Sequence, residues 1–146
     1  MEFKEAVRTC LTQKYCRFKG RASRAEFWWF SLFTLLLNIV VLLVGAIAPG
    51  LVSIISAALG LWLVLPTVSA ATRRLHDRNL SGWWQALPVP LALLGPLGTA
   101  TDSTWLLFAA GGAAFIVSIW LLVVYALKGT SGPNRFGPDP LDGEGA

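Results

Sequence analysis

Residues 27–72 read FWWFSLFTLLLNIVVLLVGAIAPGLVSIISAALGLWLVLPTVSAAT, 46 residues without one Asp, Glu, Lys, Arg or His. A helix rises 1.5 Å per residue, so a hydrocarbon core about 30 Å thick takes roughly 20 apolar residues. The run is too long for one crossing and the right length for two. Ala48-Pro49-Gly50 lies at its middle, and proline followed by glycine ends a helix and turns the chain. Residues 27–47 and 51–72 are therefore predicted to form a membrane hairpin.

Working back toward the N-terminus, residues 1–26 form a polar and basic segment. Phe3, Ala6, Val7, Cys10 and Leu11 recur at helical spacing, with Lys4, Glu5, Arg8 and Thr12 on the other side, which predicts a short amphipathic helix. Two placements fit it: flat in the headgroup plane, or packed on the ends of the protein's own helices. Residues 14–26 carry five Lys or Arg. Ser23 and Glu26 have capping-box spacing for the first span. Trp28 and Trp29 follow at the depth indole rings favour. Cys10 and Cys16 both precede that span and read as ordinary thiols, since two Cys and one His do not make a zinc site. No cleavable signal peptide is evident.

Working forward, Asn38 is the one strongly polar side chain of span one and is expected to bond to a neighbouring helix. Ser53, Ser56, Ala57 and Gly60 offer a small-residue face on span two. Pro66 is expected to kink it, with Thr67, Ser69 and Thr72 bonding back to freed carbonyls. A basic loop, 73–81, comes next. The stretch 82–98 is uncharged but holds Pro88, Pro90 and Pro96, and Gly95-Pro96-Leu97-Gly98 reads as a turn. It fits a short, kinked third span or a re-entrant segment. Residues 105–127 form a clean fourth span, with a second small-residue face at 109–114. The Gly- and Pro-rich tail, 128–146, has no helical period.

A chain of 146 residues that is 55% hydrophobic and 14% charged has too much apolar surface for a soluble domain. The net charge of +4 does not indicate a nucleic-acid partner, because the basic residues flank apolar spans. Seven Lys or Arg precede span one, three lie between spans two and three, and two follow span four. Four crossings place all twelve on one side, the cytoplasm by the positive-inside rule. A re-entrant third stretch would leave Lys128 and Arg135 outside. The expectation is an all-α, polytopic membrane protein with four transmembrane helices and both termini cytoplasmic.

Three strings then share that face: FKGRASRAEFWW at 18–29, RRLHDRNLSGWW at 73–84 and KGTSGPNRFGPDP at 128–140. In this order and spacing they resemble the domain-of-unknown-function 805 family, small bacterial inner-membrane proteins, over about residues 15–140. The resemblance implies a bacterial inner-membrane location with cytoplasmic motifs. It implies no reaction, since the family carries no assigned activity. The family's usual Gly-Thr-Pro-Gly is Gly129-Thr130-Ser131-Gly132 here, a departure at a turn.

The site candidates are Arg21, Arg24, Glu26, Arg73, Arg74, His76, Asp77, Arg135 and Asp139, with Trp28, Trp29, Trp83 and Trp84 as interfacial anchors. One reading makes them structural ion pairs; arginine holds a carboxylate with two hydrogen bonds. A second has the excess arginines bind anionic lipid headgroups. A third is an enzyme using His76 and Asp77, though neighbours on a helix point about 100° apart and no catalytic or metal-binding motif accompanies them. A fourth is an oligomeric transporter or channel built on the small-residue faces, although the spans hold no charge. No catalytic residue, metal or cofactor is assigned. The expected partners are membrane lipids and a second copy of the chain.

Overall fold

The computed structural model describes residues 1–142. A short helix, α1 (Phe3–Arg8), runs into a π-helical turn at Thr9–Gln13. Two long helices follow, α2 (Arg24–Ile47) and α3 (Pro49–Asp77), then a 3-10 turn at Gly82–Ala86, α4 (Pro88–Ala100) and α5 (Thr104–Ala126). α2, α3 and α5 are each long and apolar enough to cross a membrane.

The hairpin turn is tighter than expected. Ala48 alone separates α2 from α3, and Pro49 opens α3 at the position where a missing N–H costs nothing. Near the turn, a side chain at Gly45 would collide with Val52, so the two helices start in close contact. α3 passes through Pro66 unbroken. A proline deprives the carbonyl four residues earlier of its donor. That carbonyl, on Trp62, accepts instead from the Tyr15 hydroxyl, so the repair comes from the N-terminal segment rather than from Thr67, Ser69 or Thr72. α3 also extends to Asp77, which puts Arg73, Arg74 and Asp77 on its last turn and not in a loop.

The N-terminal segment packs on the protein itself. Ala6 and Cys10 are fully buried, Cys10 with Phe30 of α2 and Ala70 of α3. Phe3 meets Trp29 edge-on with ring centres 5.9 Å apart. In the third stretch, the turn expected at residues 95–98 is helical instead. α4 runs through Pro96 and ends at Thr101 and Asp102, the latter at φ +50°. Pro88 and Pro90 cost little because they occupy the first turn, and Gly98 lets Leu107 of α5 approach closely.

Asn38 does not reach another helix: its amide donates to Thr34 O of its own helix at 2.8 Å. The small-residue faces are also open within one chain, since a side chain at Gly60, Gly111 or Gly112 would meet nothing within 4 Å.

Burial is inverted relative to a soluble domain. Leu42 is 72% and Ile47 87% exposed, whereas the largest fully buried side chains include Arg73, Arg74 and Glu26. The packed core sits at the polar end of the bundle, where α3 and α5 finish and the tail returns.

Candidate anion site at the polar end of the bundle

Asp77 is the centre of this end. Its carboxylate accepts from Arg21 Nε at 2.9 Å and from Arg74 Nη1. The remaining donors of both arginines go to carbonyls. Arg21 reaches Gly132 at 2.6 Å and Thr130; Arg74 reaches Tyr125 at 3.0 Å and also Leu127. The backbone carbonyl of Asp77 accepts from both Thr130 N and Thr130 Oγ1 at 2.9 Å. The first string, the end of α3 and the tail are thus joined at one residue. Gly129 must be glycine here, because an added Cβ would overlap the Asp77 carboxylate.

Glu26 is a second centre. Ser23 Oγ accepts from Glu26 N at 3.2 Å, but the other half of the expected capping box is missing. The Glu26 carboxylate turns away to pair with Arg73 and with Lys14 at 3.0 Å. Cys10 Sγ lies 3.9 Å from it, and burial, then the carboxylate, pushes that thiol's pKa up. The protonated, buried thiol is therefore a poor nucleophile, while Cys16 is exposed.

His76 and Asp77 do not form a pair. His76 Nδ1 lies 3.1 Å from Gly20 O; a carbonyl only accepts, so this nitrogen carries the hydrogen. The ring stacks on Phe136 at 3.9 Å between centres. Arg135 sits over the other ring, 4.6 Å from its centre, and bonds to Asn79 O at 2.9 Å. Asp139 accepts from Leu141 N at 3.1 Å and Gly132 N at 3.0 Å, with Arg21 at 3.8 Å. These contacts hold its carboxyl below the usual carboxylate range, the Leu141 N–H contributing most.

The candidates therefore separate into three groups, of which His76 and Arg135, stacked at Phe136, are one. Arg21, Glu26, Arg73, Arg74, Asp77 and Asp139 are joined in ion pairs, with Arg21, Arg73 and Arg74 buried. Arg24 is exposed and makes no ion pair or side-chain hydrogen bond among the described residues. Of the anchors, Trp28 and Trp29 are about equally exposed, Trp83 projects freely and Trp84 leans on Trp120 of α5 at 5.3 Å.

Sequence reasoning missed Lys14, Gly129, Thr130 and Asn134 as parts of the fastening. Asn134 donates to His76 O at 3.0 Å and to Thr130 Oγ1 at 2.9 Å. It also missed that Arg17, Lys19 and Lys128 stand exposed with unpaired side chains among the described residues. Their signal was the basic run before span one and the third string itself.

The three strings, now joined in space, are the features by which the chain compares with known proteins. Residues 15–138 match the family model described as "Protein of unknown function (DUF805)". The chain belongs to the DUF805 family. It is similar to the inner membrane protein YhaH of Escherichia coli K12, 33% identical over 132 residues that cover 88% of this chain and 90% of that one. The inner membrane protein YhaI of the same strain is 33% identical over 135 residues, 90% of this chain and 92% of the relative. YiiR, named as an uncharacterized protein, is 32% identical over 129 residues, 86% of each. No solved structure matches. With its long apolar helices, this DUF805 protein is an all-α inner-membrane protein. The DUF805 match takes in the Asp77 centre and Glu26 but not Cys10, Lys14 or Asp139.

Proposed function

We propose that this protein crosses the inner membrane four times, keeps both termini in the cytoplasm, and binds anionic phosphate headgroups at its cytoplasmic end. Length supports the crossing count. The 3-10 turn at about 2.0 Å per residue and α4 at about 1.5 Å together carry the chain about 30 Å, the thickness of the hydrocarbon core. Contact supports the common side of the termini, since Arg74 on the last turn of α3 bonds to Tyr125 and Leu127 at the end of α5.

A sidedness experiment tests the topology. Ser131→Cys and Ser103→Cys are made in a Cys16→Ser chain; buried Cys10 needs no replacement. An impermeant maleimide added to spheroplasts is expected to label the cysteine at 103 and spare the one at 131. Labelling of the one at 131 would overturn the arrangement.

The observation that carries headgroup binding is the surplus of cations. Glu26 and Asp77 already hold Lys14, Arg73, Arg21 and Arg74. Arg17, Lys19, Arg24 and Lys128 make no ion pair within 4 Å among the described residues, Lys128 acting on Asp139 only through its field. A basic residue at the surface of an anionic leaflet contributes on the order of 1 kcal/mol. Native mass spectrometry of the full chain is expected to show retained phosphatidylglycerol in preference to phosphatidylethanolamine. The Arg17→Gln, Lys19→Gln, Arg24→Gln, Lys128→Gln variant is expected to lose at least about tenfold of that preference. A wild-type protein that holds both lipids equally would refute the reading.

A further inference from the structure

The surplus cations are not spread evenly, and two of them meet at a place shaped for an amphiphile. Between the start of α2 and the tail lies a cleft of about 220 Å³, whose walls include the polar side chains of Ser23, Arg24, Lys128, Thr130 and Ser131 beside Pro140 and Leu141. Directly adjoining it, and sharing Arg24 and Ala25, is an open groove of about 510 Å³ walled by Trp28, Trp29, Leu32 and Ala126. The first hollow is bordered by charged side chains at both walls, and the second by apolar ones apart from Arg24. Arg24 stands at their junction.

Two carboxylates also border the cleft, and both are engaged. Asp77 is held by Arg21 and Arg74, and Asp139 by two backbone N–H groups and Arg21. Arg24 remains there with no ion pair among the described residues, and the Lys128 ammonium, which acts on Asp139 only through its field, makes none within 4 Å. The cleft also borders the first turn of α2, where the N–H groups of Arg24 and Ala25 have no acceptor among the described residues. Such groups favour an anion. The groove beyond offers two tryptophans, Trp28 at 38% and Trp29 at 39% exposed, and Leu32 at 38%. Tryptophan sits where a lipid's polar part meets its chains.

From this juxtaposition we infer that one anionic phospholipid is seated at the α2–α5 junction, its phosphate between Arg24 and Lys128 and an acyl chain in the Trp28–Leu32 groove. The site rests on the headgroup-binding reading and gives it a place. Arginine supplies a fork of donors matched to phosphate oxygens, and lysine a point charge. A free phosphate would use the cleft alone and leave the groove empty, so the two sources of the same anion are separable.

The test uses the purified full chain with phosphatidylglycerol, phosphatidylethanolamine and inorganic phosphate as probes, read by native mass spectrometry. Arg24→Gln with Lys128→Gln is expected to lower phosphatidylglycerol retention at least about tenfold. Arg17→Gln with Lys19→Gln, which border neither hollow, is expected to lower it by a clearly smaller factor. Both replaced pairs are exposed and unpartnered, so folding is not at issue. Ala126→Trp, which fills the groove and leaves both cations, is expected to weaken the lipid and not phosphate.

If the wild-type protein prefers phosphatidylglycerol but the Arg24/Lys128 variant retains it fully, the seat is wrong while headgroup binding stands. If the wild-type shows no preference, headgroup binding itself fails. If inorganic phosphate displaces the lipid and Ala126→Trp changes nothing, the cleft binds a free anion and the phospholipid assignment is overturned.

Discussion

Asp77→Asn is expected to cost about 3–5 kcal/mol of folding stability, the range for removing one partner of a buried ion pair. Folded domains hold only about 5–15 kcal/mol in total, so the variant should be poorly expressed and should melt far below the wild type. The size follows from what Asp77 holds. Its side chain is 4% exposed, and both guanidiniums that point at it, Arg21 and Arg74, are 1% exposed or less. An amide keeps the shape but leaves buried Arg74 facing no anion and buried Arg21 only the more distant Asp139 at 3.8 Å. Thermal unfolding in detergent, followed through tryptophan fluorescence, measures this directly. Asp139→Asn is the control: that residue lies at 3.8 Å from Arg21 and is more open, so its loss should shift the midpoint only slightly. A normal midpoint for Asp77→Asn would mean the buried pairs are not what holds this end together.

The second large effect is expected from a single methyl group. Gly129→Ala places its Cβ against all three terminal atoms of the Asp77 carboxylate. A flexible side chain would swing aside, but this one is fixed by two arginines. Overpacking of this kind costs about 1–3 kcal/mol. Gly111→Ala, where an added Cβ meets nothing, should be neutral or slightly stabilising in its helix. The explanation can be isolated with a double-mutant cycle. In an Asp77→Ala background the methyl group has room, so Gly129→Ala should cost little there. The two changes should then couple by at least about 1 kcal/mol. Simple additivity would show that Gly129 is needed for some other reason.

The sequence made parts of this arrangement readable and hid others, for physical reasons. The hairpin was legible because an uncharged run of that length has one environment available to it. The three polar strings were legible as neighbours because charge partition put them on one side. The turn expected at residues 95–98 was misplaced because Pro96 was read with the rules of water-soluble helices. In α4 the proline is tolerated inside the helix, as a membrane-type helix allows. Asn38 was assigned a partner helix, yet the carbonyl one turn back in its own helix was nearer. That the acids pair with the arginines was one reading of the sequence, but which arginine each long-range pair takes was not legible. Glu26 and Arg73 are 47 residues apart, Arg21 and Asp77 are 56 apart, and no spacing rule selects one arginine over its neighbour. Arg21 and Arg24 look equivalent three positions apart, but one is buried against Asp77 and the other is left at the surface. That difference depends on where the tail returns, which only the folded chain determines.

The return of the tail also sets an order of events. Arg21 leaves the ribosome early, yet the carbonyls of Thr130 and Gly132 that complete its hydrogen bonds are made 109 and 111 residues later. Without those carbonyls, burying the Arg21–Asp77 pair would leave donors unsatisfied, which is unfavourable. The polar end is therefore complete only once the tail that follows α5 is in place. Closure of this one cluster reports that the whole chain has arrived and that α3 and α5 end at the same depth. A chain that lacks the tail leaves these charges without their carbonyl partners, an open state distinct from the finished protein.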